Sequence, residues 1–209
     1  MTEPIPTVFV VDDDPSVRRA IKRLVESVGL RVDLFQSAPE FLLAKRPDVP
    51  SCLILDVRLR GVSGLEFQQE LAKANIDVPI IFVAADADVP MSVRAMKAGA
   101  VEFLPKPFRD QDLLDAIHLA LKRDRARREG EAYLAVLRER FESLTSRERE
   151  VLDMVVRGML NKQIAAKLGT AENTIKVHRS RAMEKMQAQS LAELVKMVER
   201  LQSALKKYA

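Results

Sequence analysis

Carboxylates and a lysine follow three of the apolar, β-prone runs in the first half of the chain. The first run is followed by three consecutive aspartates at 12–14, the third by Asp56 and the fifth by Lys106. Carboxylates that converge from neighbouring strand ends repel one another unless a cation lies among them. A hard divalent ion with oxygen ligands, such as Mg²⁺, meets that need. Because a lysine adds a point charge suited to phosphate, these residue types predict a site for metal and phosphate.

The runs that position these residues alternate with helical segments. Short apolar and β-branched runs lie at 8–11, 31–35, 52–55, 78–84 and 101–104. Segments with a 3.6-residue apolar period separate them. The alternation predicts an α/β fold with a five-stranded, parallel, doubly wound (flavodoxin-like) sheet that is covered on both faces. In such sheets the chemistry collects beyond the carboxyl ends of the strands, where the aspartates and the lysine fall.

The stretch DDDPS has a second interpretation as a helix start. Asp13 or Asp14 would be the N-cap, and Pro15 would lie in the first helical turn. Capping accounts for one aspartate of the three. It does not explain why Asp56 and Lys106 fall at the same edge of the sheet, so we favour the site interpretation.

The composition is that of a globular protein, with 47% hydrophobic and 31% charged residues. No apolar run approaches the ~18–20 residues of a membrane span, and the first residues do not resemble a signal peptide. We therefore expect a cytoplasmic protein with no membrane partner. Cys52 is the only cysteine, so no intrachain disulfide is expected.

Charge is distributed unevenly along the chain. Residues 1–121 carry 14 Lys and Arg against 18 Asp and Glu, whereas residues 143–209 carry 13 against 7. The basic end is therefore the candidate for binding nucleic acid. The predicted division is a first domain at 1–122, a charged helical linker at 123–142 and a second, all-α domain at 143–209.

The basic end has the pattern of short helices joined by turns. Thr145 and Glu148 form a capping box before an amphipathic helix, which Gly158 is expected to end. Asn161 is expected to cap a second helix, and Gly169 to make the turn before a third, basic helix. Two short helices around a turn, the second basic, predict a helix-turn-helix.

The stretches VFVVDDDPSVRRAI, LILDVRLRGVSGLEF and MSVRAMKAGAVEFLPKPF resemble the receiver domain of two-component response regulators, over residues 5 to about 122. The resemblance implies phosphoryl transfer from a sensor histidine kinase to an aspartate, which by motif position is Asp56. It also implies that Asp12 and Asp13 hold Mg²⁺, with Asp13, Asp56 and the backbone carbonyl of Arg58 as direct ligands.

The same resemblance assigns the residues at the ends of the last two strands. Lys106 pairs with the carboxylate or phosphate, a cis peptide bond precedes Pro107, and Phe103 is the aromatic residue whose rotamer reports the active state. Two positions depart from the family pattern. Ala84 replaces the usual Thr or Ser, so the hydroxyl that bonds a phosphoryl oxygen is missing. Arg60 replaces the usual proline, with an expected effect on loop stiffness rather than on chemistry.

LTSREREVL, NKQIAAKL and NTIKVHRSRAMEKM resemble the LuxR-type helix-turn-helix of the NarL/FixJ class, over about residues 142–205. The resemblance implies a recognition helix at 172–186 that binds double-stranded DNA. Lys176 and Val177 are the implied base readers, with Ser180 as a further candidate. The residues implied to contact phosphates are Thr174, Arg179 and Arg181.

The leading functional prediction is a DNA-binding transcription regulator, not an enzyme, that forms a homodimer when Asp56 is phosphorylated. A second prediction keeps DNA binding but uncouples it from phosphorylation, because Ala84 lacks the hydroxyl. A remote third is a haloacid-dehalogenase-type phosphatase, in which Asp12 of VVDDDPS would be the nucleophile and Asp14 the acid/base. Ser16 does not fit the motif of that class, and a cap domain is missing.

Overall fold

The structure is a computed structural model and describes residues 5–85 and 88–207. The strands of these residues are β1 (Thr7–Val11), β2 (Arg31–Phe35), β3 (Ser51–Asp56), β4 (Ile80–Ala84) and β5 (Glu102–Pro105). The helices are α1 (Pro15–Ser27), α2 (Ala38–Leu43), α3 (Gly64–Lys73), α4 (Val89–Lys97), α5 (Asp110–Glu142), α6 (Ser146–Val156), α7 (Asn161–Leu168), α8 (Glu172–Met186) and α9 (Leu191–Lys207). Strands and helices alternate as far as α5, and helices alone follow in the described part.

The strands form one parallel sheet in the order β2-β1-β3-β4-β5, which confirms the predicted fold class. The largest difference in strand bounds is at β4, which was predicted from Val78 but begins at Ile80. Pro79 has no N–H to donate to a neighbouring strand, so regular pairing starts after it. Its carbonyl still accepts a hydrogen bond from the Leu53 N–H at 2.9 Å.

Both faces of the sheet are buried, so the strands are apolar on both sides. On one face Phe9 packs edge-on against Phe41 of α2, with ring centroids 5.5 Å apart, and Phe41 packs in turn against Phe67 of α3. On the other face Val10 packs in a buried cluster that includes Ile117 of α5. The strands are therefore held from two sides, which fixes the positions of the residues at their ends.

The pairing register determines which residues meet at the carboxyl edge of the sheet. The β1–β3 register brings Asp12 and Asp56 to the same level as the two strands end. The β4–β5 register pairs Ala84 with Pro105, directly before Lys106. The residues that the sequence assigned to a phosphate site thus lie at the ends of β1, β3 and β5, and Ala84 ends β4 between the last two.

The chain divides into two compact units between Arg128 and Glu129, inside α5. This boundary lies within the stretch predicted as a linker, 123–142. The first turns of that stretch belong to the first unit because Asp124 binds residues of that unit. The buried Asp124 carboxylate accepts hydrogen bonds from the Ser51 N–H at 2.9 Å and from the Arg128 guanidinium at 2.7 Å. The first turns of the predicted linker therefore belong to the core of the first unit.

The second unit has its own apolar core, formed by the end of α5 and by α6 to α9. The predicted capping box opens α6: Thr145 Oγ1 accepts from the Glu148 N–H at 3.3 Å, and the Glu148 carboxylate accepts from the Thr145 N–H at 2.9 Å. Gly158 follows the end of α6 with a φ of +81°, as predicted. None of the helices described is long and apolar enough to cross a membrane.

The predicted cap of the second short helix is wrong. Asn161 is the first residue of α7, and the N-cap is Leu160. The Leu160 N–H donates to Gln163 Oε1 at 2.8 Å, so the glutamine three residues on satisfies this backbone group. The side chain of Asn161 is then available to α8, as described below.

Candidate phosphoacceptor site and nucleic-acid interface

Three carboxylates meet at the carboxyl edge of the sheet. Asp12 and Asp56 are buried and Asp13 is half-buried, and one carboxylate oxygen of each lies within 4.8 Å of the other two. Negative groups this close, two of them shielded from water, are destabilising unless cations compensate them. The sheet register therefore brings three carboxylates to a position where a cation is needed to stabilise them.

Lys106 supplies part of that charge. Its Nζ lies 2.8 Å from Asp12 Oδ2 and 3.1 Å from Asp56 Oδ2. The backbone N–H of Lys106 donates to the Ala84 carbonyl at 2.7 Å, and the bond from Lys106 to Pro107 is cis, as the resemblance implied. The lysine is thus fixed at the end of β5 with its ammonium between two aspartates.

The pKa values of the site follow from burial and pairing. Burial raises the pKa of Asp12, and the hydrogen bond from Lys106 opposes that rise. Burial lowers the pKa of Lys106, but the hydrogen bond and charge of Asp12, with the charge of Asp56, outweigh it and leave the pKa above its usual value. Lys106 is therefore charged at neutral pH. One ammonium among three carboxylates leaves a surplus of negative oxygen donors, and this donor set fits Mg²⁺.

The loop after β3 folds closely around Asp56. The Arg58 N–H donates to Asp56 Oδ1 at 3.2 Å, and Arg58 forms a β-bridge with Ser63. Gly64 allows the close return of the chain, because a Cβ there would lie 2.4 Å from the Asp56 carbonyl oxygen. The sequence analysis missed Gly64. Its signal was a glycine in the first turn of a helix, where low helix propensity calls for another reason.

Arg60 contacts the acidic cluster directly, which the sequence analysis did not predict. Its Nε donates to Asp13 Oδ2 at 3.1 Å, although the side chain as a whole is 91% exposed. Gly61 follows with a φ of +88°, a backbone conformation that favours glycine, and turns the loop back toward Ser63. The residue in the usual place of proline therefore lies at the mouth of the site as a second cation.

Asp14 has the capping role that the alternative interpretation of DDDPS proposed. It is the N-cap of α1, and its Oδ1 accepts hydrogen bonds from the Ser16 N–H at 2.7 Å and the Ser16 hydroxyl at 2.6 Å. These hydrogen bonds lower the pKa of Asp14. Capping by Asp14 leaves Asp12 and Asp13 to the acidic cluster, so the two interpretations hold for different aspartates.

Ala84 is buried at the end of β4 and belongs to the apolar cluster against which Phe103 packs. Phe103 is half-buried, with its ring centroid 6.2 Å from that of Phe82. The position that would carry the hydroxyl in other receivers is thus a methyl group in contact with the core. Phe103 packs against this cluster and is neither fully buried nor exposed.

The basic helix α8 follows α7 after a turn at Gly169, whose φ is +62°. Its inward side is buried at Ile175, Ala182 and Met186. The predicted DNA-binding residues that are exposed on its outer side are Thr174, Lys176, Val177, Ser180 and Arg181. Arg179 is half-buried, with Nη1 3.5 Å from Asn161 Oδ1 of α7.

Fold and site together define a class of protein, a parallel α/β domain with an acidic cluster at its sheet edge followed by a helix-turn-helix domain. The family model of the response regulator receiver domain matches residues 8–118, and that of bacterial regulatory proteins of the luxR family matches residues 142–198. The two matches fall on the two compact units.

Relatives with the same two parts extend over nearly the whole chain. Nodulation protein W of Bradyrhizobium diazoefficiens is 56% identical over 194 residues, covering 93% of this chain and 86% of that protein. The structure of the response regulator StyR matches with a TM-score of 0.82 at 50% identity, covering 94% of this chain and 100% of that one. Full-length FixJ from B. japonicum matches with a TM-score of 0.56 at 37% identity, covering 97% and 99%. The chain belongs to the NarL/FixJ class of response regulators, the DNA-binding transcription regulators of two-component systems.

Proposed function

We propose that Asp56 accepts a phosphoryl group from a sensor histidine kinase, and that phosphorylation controls the binding of α8 to double-stranded DNA. The contact that supports this most strongly is that of Lys106, whose Nζ lies 3.1 Å from Asp56 Oδ2 and 2.8 Å from Asp12 Oδ2. A fixed ammonium beside a buried carboxylate is placed to offset the negative charge that a phosphoryl group brings.

In this transfer a carboxylate oxygen of Asp56 attacks the phosphorus, a P–O bond forms and the P–N bond to the kinase histidine breaks, with its electron pair staying on the imidazole. Asp12 and Asp13 would hold Mg²⁺, with Asp13, Asp56 and the backbone carbonyl of Arg58 as the oxygen donors that would ligate it. The ion, when bound, supplies charge neutralisation for the phosphoryl oxygens. Lys106 stays paired with Asp12 and so remains oriented toward Asp56.

Labelling by a small phosphodonor in the presence of Mg²⁺ tests the acceptor. We expect the intact protein to be labelled, Asp56→Asn to lose the label, and Asp14→Ala to keep it, because Asp14 caps α1 and lies outside the cluster. Label found on Asp12 would support the phosphatase alternative instead. An intact protein that takes no label would refute Asp56 as an acceptor.

A second candidate function, a regulator uncoupled from phosphorylation, is favoured by one observation. Ala84 has no hydroxyl, and its methyl group lies in the cluster that Phe103 contacts. A hydrogen bond to a charged group contributes about 1.5–3 kcal/mol, and a switch is driven only by interactions that differ between its two states. Without a hydrogen bond from residue 84 to the phosphoryl group, phosphorylation of Asp56 shifts the conformational equilibrium of Phe103 less. We expect Phe103 to turn inward without phosphate.

The two candidates differ in how DNA affinity responds to beryllium fluoride, a phosphoryl mimic. We expect a small gain in DNA affinity and in homodimer formation for the wild type, and a larger gain for Ala84→Thr, which restores the hydroxyl. Position 84 would have no role in coupling if the wild type responds as strongly as the variant. The measurement is a DNA titration of the full-length protein with and without the mimic.

A further inference from the structure

Arg60 stands at the mouth of the proposed phosphoacceptor site and makes an ion pair with one of the proposed metal ligands. Its Nε lies 3.1 Å from Asp13 Oδ2, and Asp13 is the outermost of the three clustered carboxylates, with its side chain 29% exposed. The other two carboxylates are already paired with Lys106. Lys106 and Arg60 together therefore reach all three carboxylates of the cluster.

The loop that carries Arg60 is anchored at both ends, so its backbone places Arg60 within reach of Asp13. Arg58 and Ser63 form a β-bridge across it, and Ser63 then caps α3 in a capping box with Glu66. Gly64 lies against the Asp56 backbone, with its N–H donating to the Val57 carbonyl at 2.8 Å. Arg60 is thus held within reach of Asp13 while its side chain stays in water.

A guanidinium and a divalent cation at Asp13 repel each other and share the negative charge of one carboxylate, so each weakens the binding of the other. The divalent ion has the higher charge, whereas Arg60 is already attached to the chain beside Asp13. From this we infer that Arg60 is a positioning residue that holds Asp13 when the site is free of metal and opposes the binding of Mg²⁺ there. This inference rests on the proposed role of Asp13 as a Mg²⁺ ligand.

The expected effect of Arg60 on Mg²⁺ affinity is modest, because the ion pair of Arg60 with Asp13 is largely exposed. Exposed ion pairs contribute little, typically enough for a ~1.4- to 5-fold change in an equilibrium constant. Removing the Arg60 guanidinium should therefore tighten Mg²⁺ binding about two- to fivefold. Salt screens exposed charges with a Debye length of about 3 Å at 1 M, so the difference between variant and wild type should shrink in high salt.

Calorimetric titration of the full-length protein with MgCl₂ tests this at low and high salt. Arg60→Ala should bind Mg²⁺ more tightly than the wild type, and Arg60→Lys, which keeps a positive charge at the same place, should bind with nearly wild-type affinity. Arg109→Ala is the matched control. Arg109 is similarly exposed and paired with an aspartate, Asp112, but that aspartate lies outside the cluster, so its loss should leave the affinity unchanged.

The outcomes separate this inference from the proposed function. Equal affinity of the wild type and Arg60→Ala, or equal tightening by Arg60→Ala and Arg109→Ala, would overturn the role of Arg60 while leaving the metal site in place. Mg²⁺ binding that is absent from the wild type and from Arg60→Ala would refute the proposed metal site, and the role of Arg60 with it. Loss of binding in Asp13→Asn identifies the titrated site as the acidic cluster.

Discussion

The two functional regions of this chain use charge in opposite ways. At the carboxyl edge of the sheet, Asp12 and Asp56 are buried and share a single lysine. On the outer side of α8, Lys176 and Arg181 are exposed, and the charge partner found for Lys176 is Glu172 one turn earlier, at 3.7 Å. Charges in a buried cluster interact strongly with one another, whereas charges on an exposed face are weakened by water and salt.

This difference determines what a substitution does in each region. Removing one partner of a buried, hydrogen-bonded charge leaves the other without water or a counter-ion, so the fold itself is destabilised. Removing an exposed charge leaves the fold nearly unaltered and weakens only the complex with the partner. Stability measurements should therefore respond most to a buried carboxylate whose partners are cations and a backbone N–H, such as Asp124, and DNA titrations to the outer side of α8.

The largest expected effect is the loss of stability on replacing Asp124, the buried carboxylate that joins α5 to the start of β3. Asp124→Ala removes the acceptor of the buried Ser51 N–H and one carboxylate partner each of Arg127 and Arg128, which keep Asp77 and Asp48, and should lower the free energy of unfolding by about 3–5 kcal/mol. Asp124→Asn keeps an acceptor for Ser51 and should lose less. Hydrogen exchange of the β1 and β3 amides in the full chain measures the change within the first unit.

A small effect of Asp124→Ala, comparable to that of removing an exposed aspartate such as Asp115, would contradict the contrast between buried and exposed charge. Asp115 is a fair control because it lies on the same helix, is exposed, and accepts a hydrogen bond from the neighbouring Gln111 side chain at 2.7 Å. Asp115→Ala should change the free energy of unfolding by about 0.5 kcal/mol or less.

The next effect is on DNA binding. Lys176→Ala should cost about 1–3 kcal/mol of binding free energy and relax the choice of sequence if Lys176 reads a base, whereas Arg181→Ala should weaken all sequences alike. Both variants should keep the stability of the wild type, because both side chains are exposed. Titrations on a target site and on unrelated DNA measure the two effects, and equal loss on every sequence for Lys176→Ala would show that it does not read a base.

Sequence alone predicted the fold and the acidic cluster because each key residue follows a recognisable strand. Asp12, Asp56 and Lys106 lie where apolar runs end, and a parallel sheet brings such ends together whatever the details of the loops. The contact of Arg60 with Asp13 and the close approach of Gly64 to Asp56 depend on loop geometry, which no periodic pattern encodes. Predictable features thus follow from regular elements, and the features that were missed lie in the connections between them.

The contacts that hold the helices in place also show that local features are predictable from sequence and non-local ones are not. Asp124 lies in a charged stretch whose sequence pattern predicts an exposed linker. Only the fold shows that the backbone N–H of Ser51, 73 residues earlier, donates a hydrogen bond to its carboxylate. In contrast, the capping box of Thr145 and Glu148 is local and was predicted. The cap of α7 was misassigned to Asn161 because Leu160 and Gln163 satisfy the helix start without a polar side chain at the N-cap.

The smallest expected effect concerns Glu148, a buried carboxylate of the second unit that tests the contrast inside the DNA-binding domain. Its Oε2 lies 2.7 Å from Lys185 Nζ and 2.9 Å from the Thr145 nitrogen. Burial raises the pKa of Glu148, but the hydrogen bonds from Lys185 and Thr145 outweigh burial and lower it below its usual 4.5. A carboxyl group whose pKa is lowered by folding stabilises the fold at pH values above its pKa in the unfolded state. It loses that contribution as the pH falls through its pKa in the folded state.

We expect Glu148→Gln to be less stable than the wild type by about 1 kcal/mol near neutral pH, because Gln keeps the capping acceptor but not the charge. The gap should narrow as the pH falls below about 4.5. Both tyrosines, at 133 and 208, lie in the sequence of the second unit, so tyrosine fluorescence during urea unfolding reports on it. A gap that stays constant down to about pH 3 would mean that the Glu148 charge does not stabilise this domain.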